Sequence, residues 1–263
     1  VLDGTDVSAL PPEKRRIGLV FQDHALFPHR RVEQNIAFGL TNLDRAARAR
    51  RVDELLELVR LPGVGKRYPH ELSGGEQQRI ALARALAPDP AVVLLDEPFA
   101  SLDPSLRDEV RTDVIDALRL RNAAAVLVTH DREEALALGD RVAVMSDGRM
   151  LQIDRPDEVY ERPSDRFVAT FLGEASFLVD PDDPSHAMMA RPHDLSLVVE
   201  DGGDDRVVAR RYLGAAWRYS VRRADGTDVD VDLAGRPGSV PLSVGDACTV
   251  VVDAGHPLHR LPA

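Results

Sequence analysis

Cysteine is almost absent from this 263-residue chain, and long apolar runs are absent altogether. A single cysteine, Cys248, excludes a disulfide framework within the chain and a zinc site built on several thiolates. Such a composition is typical of a reducing compartment such as the cytosol. No stretch approaches the roughly 18 consecutive apolar residues of a membrane-spanning helix. The sequence therefore predicts a globular protein whose core is built from short apolar segments.

Basic residues are outnumbered by acidic ones, 33 against 44, which gives a formal net charge of −11. A nucleic-acid-binding protein is expected to show the opposite balance, so we expect no nucleic-acid partner. Lysine is scarce as well, because only Lys14 and Lys66 occur among the 33 basic residues. Each lysine can therefore be checked individually for a phosphate-binding role.

Short apolar runs alternate with helical patterns in the first half of the chain. The runs at 17–21, 91–95 and 124–129 predict buried strands of a parallel sheet. Apolar residues spaced three and four apart over 52–59 and 106–118 predict two amphipathic helices. This alternation predicts an α/β layer fold.

The later part of the chain has a different pattern of apolar and turn-forming residues. Residues 141–153 predict a hairpin that turns at Asp147-Gly148. Proline and aspartate are concentrated at 180–184, which predicts a linker. Beyond it, five short alternating runs predict a small all-β unit, a five-stranded barrel. The runs are 195–200, 206–212, 218–223, 227–233 and 248–253.

The string LSGGEQQR at 72–79 predicts a capped helix start. Ser73 is placed to cap the helix, and Glu76 three residues later completes a capping box. The two glycines allow a ligand close to the backbone, and free amides at a helix N-terminus suit a phosphate. Taken alone, Ser-Gly-Gly is more often an ordinary helix start than a ligand site.

An apolar strand ends in two carboxylates, Asp96 and Glu97. Ligands of open α/β folds bind at this carboxyl edge of the sheet. Asp96 is a suitable oxygen ligand for Mg²⁺, and Glu97 a suitable proton acceptor for an attacking water. The alternative is a pair of solvated acids at a strand end.

These motifs together resemble those of ATP-binding-cassette (ABC) ATPases. LSGGEQQR resembles the family's signature motif, and VVLLDEP at 92–98 resembles its Walker B strand with the catalytic glutamate. Gln22 matches the Q-loop glutamine, residues 101–103 match the D-loop, and His130 matches the switch histidine. Alone, Gln22 would be a polar strand end and His130 a structural histidine. Because all five motifs occur in the family's order, we favour the ABC ATPase interpretation over these two alternatives.

The resemblance implies a P-loop-type α/β core with a helical subdomain at about 41–90, and two such domains closing head to tail around two ATP molecules. Asp96 and Gln22 would then hold Mg²⁺, with Gln22 also sensing the attacking water. Glu97 would be the general base, and His130 would stabilise the phosphoryl group in transfer. Ser73, Gly74 and Gly75 are implied to contact the γ-phosphate across the dimer interface, and Gln77 and Asp103 are also assigned to nucleotide binding.

One family motif has no match. Neither Lys14 nor Lys66 lies in a G-x-x-x-x-G-K-[ST] loop, which would cradle the phosphates. We interpret Gly63-Val64-Gly65-Lys66 as a loop between helices. In the family the missing loop lies upstream of the position that Val1 matches, so we expect an incomplete ATPase domain. The 263-residue polypeptide alone is predicted not to hydrolyse ATP at a meaningful rate.

Two further segments resemble parts of bacterial importer ATPases in particular. The stretch from Asp23 to Phe38 resembles the part that receives a membrane permease subunit. A four-residue motif, Arg191-Pro192-His193-Asp194, resembles one found in the OB-like regulatory domain appended to many importer ATPases. We therefore expect an ATPase domain at 1–176 and a regulatory β domain at 177–263.

The importer resemblance also implies partners and a location. It implies a homodimer on the cytoplasmic face of the membrane, bound peripherally to permease subunits and served indirectly by a solute-binding protein. Among substrates it leans toward ferric iron, then sulfate, polyamines or thiamine.

Two other functions stay open. One is a nucleic-acid-associated ATPase of the same superfamily, although the chain has one signature motif and no long heptad run. The other is a non-catalytic regulatory subunit. Four histidines of the β domain lack convincing metal-ligand spacing, and we interpret them as solvated: His186, His193, His256 and His259.

Overall fold

The computed structural model describes residues 1–2, 4–100, 102–180, 183, 185–200, 202–235, 242–253 and 258–262. The chain divides into two compact units, Val1–Leu138 and Gly139–Ala263. Each unit contains its own buried apolar clusters. Residues 139–176 fall in the second unit, and the functional boundary at 176 stays a prediction.

The first unit is built on a three-stranded sheet in the order β1-β2-β3, and both strand pairs are parallel. Val20 lies opposite Leu95, and Asp96 lies opposite Val128. The predicted parallel sheet is therefore confirmed, but the predicted burial is wrong for the third strand, in which every residue of 124–128 except Leu127 is exposed. The elements in chain order are β1 (Ile17–Val20), α1 (Val32–Ile36), α2 (Arg45–Leu58), α3 (Gly74–Leu86), β2 (Val92–Asp96), α4 (Pro104–Leu120), β3 (Ala124–Val128) and α5 (Arg132–Leu138).

Both predicted amphipathic helices are present in the first unit. In α2 the predicted stripe is buried at Val52, Leu55 and Leu56. Helix α4 begins at Pro104, whose fixed φ suits the first helical position. These helices and α3 share one core with a single face of the sheet. The other face is more open, since Val126 and Val128 are each more than half exposed.

A hairpin and two short helices open the second unit. The predicted turn is confirmed, because Asp147 and Gly148 both have positive φ, at 49° and 73°, as a type I′ hairpin turn requires. The elements are β4 (Val142–Ser146), β5 (Arg149–Asp154), α6 (Pro156–Glu161) and α7 (Arg166–Leu172).

The rest of the second unit is all β. The five predicted runs form one antiparallel sheet in the order β11-β10-β9-β12-β8, and its end strands β11 and β8 approach each other as in a barrel. A second sheet, β13-β7-β6, accompanies it. The strands are β6 (Ser176–Val179), β7 (His186–Ala190), β8 (Leu195–Val199), β9 (Asp205–Tyr212), β10 (Ala216–Arg222), β11 (Asp228–Ala234), β12 (Ala247–Val252) and β13 (His259–Pro262).

Arg191 is only 2% exposed, which is unusual for an arginine. Its guanidinium donates hydrogen bonds to the carbonyl oxygens of Tyr160 (2.7 Å), Ala169 (2.8 Å) and Glu174 (3.1 Å). It also lies 4.1 Å from the centre of the Tyr160 ring. Two of these carbonyls belong to the last turns of α6 and α7, where unpaired carbonyls favour a cation. Arg191 therefore ties both helices to the β sheets.

Candidate functional site

Polar residues lie at the carboxyl end of each of the three parallel strands. Gln22 follows β1, Asp96 and Glu97 end β2, and His130 follows β3. Because β2 is central and all three strands run the same way, these residues lie along one edge. The structure thus places at one edge the residues that the sequence assigned to metal binding and catalysis.

Glu97 and His130 are in direct contact. The Nδ1 atom of His130 lies 3.2 Å from Oε2 of Glu97, and the backbone N–H of Glu97 donates to the Val128 carbonyl at 2.9 Å. The imidazole stays largely open to solvent, with 72% of its side chain exposed. A carboxylate and an imidazole in this arrangement can accept and pass on a proton.

Glu97 has a strained backbone. Its φ is +42°, in the left-handed region that side chains other than glycine rarely adopt. Such strain costs about 1–3 kcal/mol and persists only where the surroundings enforce it. Both backbone groups of Glu97 are bonded, since its N–H donates to the Val128 carbonyl at 2.9 Å and its carbonyl accepts from the N–H of Ala100 at 3.3 Å.

Asp96 and Gln22 are both exposed. Their carboxylate and amide oxygens are the hard donors that Mg²⁺ prefers, and a magnesium site that shares its ion with phosphates needs only one or two protein ligands. The donor chemistry therefore fits the metal that the motifs imply.

The predicted cap of α3 is confirmed. The N–H of Glu76 donates to Ser73 Oγ at 3.3 Å, and the N–H of Ser73 donates to the Glu76 carboxylate at 2.8 Å. Gly74 is exposed, whereas Gly75 is buried. A Cβ on Gly75 would lie 2.9 Å from Val110 Cγ2, so this glycine is required for the packing of α3 on α4. Ser73 and Gly74 are thus open to a ligand, and nucleotide binding by Ser73, Gly74 and Gly75 stays a prediction.

Two further residues assigned to the nucleotide differ in how their side chains are used. The Gln77 amide donates to the carbonyls of Pro69 (3.0 Å) and Leu72 (3.2 Å), which holds the segment before α3. Asp103 is exposed and makes no side-chain capping bond at the start of α4. Ser101 lies outside the described residues. Nucleotide binding by Gln77 and Asp103 stays a prediction.

The segment after Gln22 is fastened to α3 by Arg84, which sequence reasoning missed. Its guanidinium donates to the carbonyls of Ala25 (2.6 Å) and His24 (3.0 Å), and it stacks on the Phe27 ring. His24 and Ala25 both have positive φ, at 61° and 44°. Burial lowers the pKa of Arg84, and it lowers that of His24, which lies beside Gln78. Arg84 therefore fixes a strained turn two residues after Gln22.

A groove of about 540 Å³ lies beside this segment, and we call it the α1–α2 groove. Phe38 on one wall packs against Phe27, with ring centres 4.7 Å apart, and Arg30 lies over both rings. Its lining includes Arg30, Phe38, Thr41, Arg45, Arg48 and Val52. The segment from Asp23 to Phe38 thus contributes to a wall of a concave surface.

Both lysines lie in 3-10 turns, Pro12–Lys14 and Val64–Lys66. The second turn connects α2 to the segment before α3, as expected for a loop between helices.

Within the described parts of the chain, no group of three or more His, Cys, Asp or Glu side chains is placed to hold a metal ion. His186 bonds to Asp183, and His259 to the Pro163 carbonyl, while His256 lies outside the described residues. Over the same described ranges, no helix combines the length and apolar character needed to span a bilayer.

Comparison with known proteins identifies both parts of the chain. The family model for ABC transporters matches residues 1–100, and that for the TOBE domain matches residues 188–258. The sulfate/thiosulfate import ATP-binding protein of Nocardia farcinica is 45% identical over 260 residues, which are 94% of this chain and 75% of the relative. The chain belongs to the ATP-binding subunits of ABC importers.

Other relatives match the first part of the chain. The spermidine/putrescine import ATP-binding protein of Pseudomonas fluorescens is 54% identical over 179 residues, 67% of this chain and 50% of the relative. The Fe(3+) ions import ATP-binding protein of Rhizobium meliloti is 50% identical over 175 residues, 66% of this chain and 44% of the relative. The chain thus spans about half the length of several curated relatives it matches.

A solved structure agrees with this assignment. That of cbiO1 from Clostridium perfringens, described as part of the ABC transporter complex cbiONQ, is 33% identical and superimposes with a TM-score of 0.52. The match covers 55% of this chain and 59% of that one.

Proposed function

We propose that the protein is the ATP-hydrolysing subunit of a solute importer. The observation that carries this proposal is the contact between Glu97 and His130 at the edge of the sheet beside Asp96. A proton acceptor, an imidazole and a metal-binding oxygen at one edge suit the attack of water on a bound nucleotide.

The side chains have separate roles in this proposal. Glu97 takes a proton from the attacking water, and the strained backbone fixes its carboxylate against His130. His130 places a hydrogen-bond donor where negative charge develops on the transferred group. Asp96 and Gln22 would hold Mg²⁺, which when bound neutralises charge on the phosphate oxygens.

A second copy of the protein supplies the opposite wall of the site. Among the described residues, Ser73 forms no hydrogen bond or ion pair with Glu97, His130 or Gln22. Its exposed position at the start of α3 suits a phosphate bound across an interface between two copies. The remaining phosphate contacts require a G-x-x-x-x-G-K-[ST] loop, and the 263 residues contain none.

The α1–α2 groove is proposed as the place where the membrane permease docks. Its aromatic and arginine lining suits a short helical segment of a partner, because aromatic and arginine side chains are enriched at such contacts. Docking there would hold the protein peripherally on the cytoplasmic face of the membrane. A solute-binding protein would act further along the same assembly.

The transported solute is proposed only as a class. The relatives carry names that refer to sulfate and thiosulfate, to spermidine and putrescine, and to Fe(3+) ions. Ferric iron remains our candidate, to be tested by uptake of labelled ferric iron, sulfate and putrescine in cells with and without the gene.

The decisive experiment is ATP hydrolysis by the gene product as its cell makes it. Glu97→Gln should lower turnover by about 10² or more, since positioned general bases typically contribute 10²–10⁴. Glu133→Gln removes an exposed carboxylate of α5 and should leave turnover unchanged. Near-normal turnover of Glu97→Gln would remove the general-base role, and no hydrolysis by the wild-type gene product would remove the proposed function.

A further inference from the structure

The turn that carries His130 is held on both sides by one arginine of α4. Arg111 Nη2 donates to Glu134 Oε1 at 2.6 Å and to Asp131 Oδ2 at 3.1 Å. The other Glu134 oxygen accepts a 2.6 Å hydrogen bond from the Thr129 hydroxyl. Thr129 and Asp131 are the two chain neighbours of His130. Arg111 therefore contacts one neighbour directly and the other through Glu134.

This network is largely shielded from solvent at Glu134 and Arg111, while Asp131 is 28% exposed. Glu134 is only 3% exposed, and Arg111 has 14% of its side chain exposed. Within the turn, the N–H of Asp131 donates to the Thr129 hydroxyl at 3.0 Å, and the Asp131 carboxylate accepts from the N–H of Glu133 at 2.9 Å. Burial is the largest single influence and lowers the pKa of Arg111, but the hydrogen bond and charge of Glu134, with smaller contributions from Asp131 and Asp108, together raise that pKa above its ordinary value. A buried charge pair of this kind allows few alternative arrangements of the turn.

The network also joins two parts of the site. Arg111 lies two turns into α4, the helix that begins directly after Asp103. Glu134 belongs to α5, which follows His130. A displacement of α4 would therefore shift the turn at 129–131 and, with it, the contact between His130 and Glu97.

We infer that Arg111 is a positioning residue that holds His130 against Glu97, so that the start of α4 and the imidazole move together. This inference rests on the proposed ATPase function. Arg111 contacts neither His130 nor Glu97 among the described residues and acts through Glu134 and Asp131. Its removal should therefore affect the chemical step through His130 and leave nucleotide binding unchanged.

The first test is kinetic and uses the gene product as its cell makes it. Arg111→Ala should lower kcat for ATP hydrolysis about tenfold or more with KM for ATP within about twofold, because small displacements of reacting groups cost one to two decades. Combining Arg111→Ala with His130→Ala should be no slower than His130→Ala alone, and Arg111→Lys should recover part of the loss. The control is Arg119→Ala, an exposed arginine of the same helix. Losses that multiply in the double variant, or an equal loss in the control, would overturn the inference.

The second test does not depend on hydrolysis. Amide hydrogen exchange at 129–134 of the 263-residue chain should accelerate about tenfold in Arg111→Ala and in Glu134→Gln, because both variants open the turn locally. Arg119→Ala should leave it unchanged. Unaltered exchange in Arg111→Ala would overturn the inference. If the wild-type gene product hydrolysed no ATP, the proposed function would fail while this second test still decided whether Arg111 positions the turn.

Discussion

The two units of the molecule use their charged side chains differently. At the sheet edge of the first unit, Asp96 and His130 lie open to solvent. In the second unit several arginines are paired, as in the cross-strand bonds from Arg218 to Asp232 (2.8 Å) and from Arg222 to Asp228 (2.7 Å). Polar groups at this sheet edge are thus left available to a ligand, whereas the paired arginines of the second unit stabilise its own fold, as Arg84 and Arg111 do away from the edge in the first unit.

Backbone strain follows the same division. Among the described residues, seven of the eight non-glycine residues with positive φ lie in the first unit. Three of the seven are Glu97, His24 and Ala25, which belong to the site or to the turn after Gln22. The exception in the second unit, Asp147, is part of a hairpin turn that needs positive φ. Positive φ therefore occurs in the first unit both at the candidate site and at four other positions, Arg16, Arg60, Asp89 and Asn122, whereas in the second unit it serves a hairpin turn.

The largest expected effect on stability comes from replacing Arg191, whose bonds hold the second unit together. Arg191→Met should destabilise the second unit by about 3 kcal/mol or more, because it leaves buried carbonyl oxygens without donors. Calorimetry with hydrogen exchange should show residues 139–263 opening first while 1–138 keep their protection. Arg222→Met removes an exposed pair and should cost at most about 1 kcal/mol. Equal losses in the two variants would contradict the structural role given to Arg191.

The reciprocal change is Arg84→Met in the first unit. Loss of the two bonds to the strained turn at His24 and Ala25 should cost about 1–3 kcal/mol. Exchange at 22–27 should accelerate, and the second unit should be unaffected. Unchanged protection at 22–27 would show that the turn is held by other contacts.

Ser73 allows a smaller change that separates capping from ligand binding. Ser73→Ala should lower the free energy of unfolding by about 1 kcal/mol, as expected for loss of an N-cap. Ser73→Asp keeps a capping oxygen and should retain the stability, but its negative charge should weaken phosphate binding. Urea unfolding and ATP titration of the gene product would measure the two effects. An Ser73→Asp variant with normal nucleotide affinity would remove Ser73 from the phosphate site.

The smallest expected effect is the titration of Asp183 in the second unit. Hydrogen bonds from Ser185, with a smaller contribution from His186, lower the pKa of Asp183 to about 2. Because this folded-state value lies below the ordinary 3.8, its stabilisation is fully present above about pH 3.8 and is lost as pH falls toward 2. Carboxyl NMR should place the midpoint near 2 in wild type and higher in Ser185→Ala, which loses the hydroxyl bond but keeps the backbone bond from residue 185. A wild-type midpoint near 3.8 would contradict the assigned bonds.

Local features of both units could be predicted from the sequence. The Ser73–Glu76 cap, the α4 start at Pro104 and the Asp147-Gly148 turn each depend on residues within a few positions of one another. The strand ends that carry Glu97 and His130 followed from short apolar runs. Their direct contact depends on the register of β2 with β3, which the runs alone do not give.

The positioning arginines had no local sequence signal. Arg84 binds backbone carbonyls about 60 residues away, and Arg191 binds those of three residues 17 to 31 positions away. Any residue type supplies a carbonyl, so such pairings leave no pattern in the sequence. Arg111 does pair with carboxylates, but the separation of 23 residues from Glu134 hides the relation.

The left-handed backbone of Glu97 has a consequence for attempts to make this protein more robust. Glycine or asparagine adopts that conformation at lower cost, so Glu97→Gly or Glu97→Asn should be recovered among thermally selected variants. Such variants would gain heat resistance by discarding the carboxylate that we propose as the proton acceptor. A selection on thermal survival alone would therefore favour more stable variants that lack the proposed hydrolytic activity, and an engineering library should hold position 97 fixed.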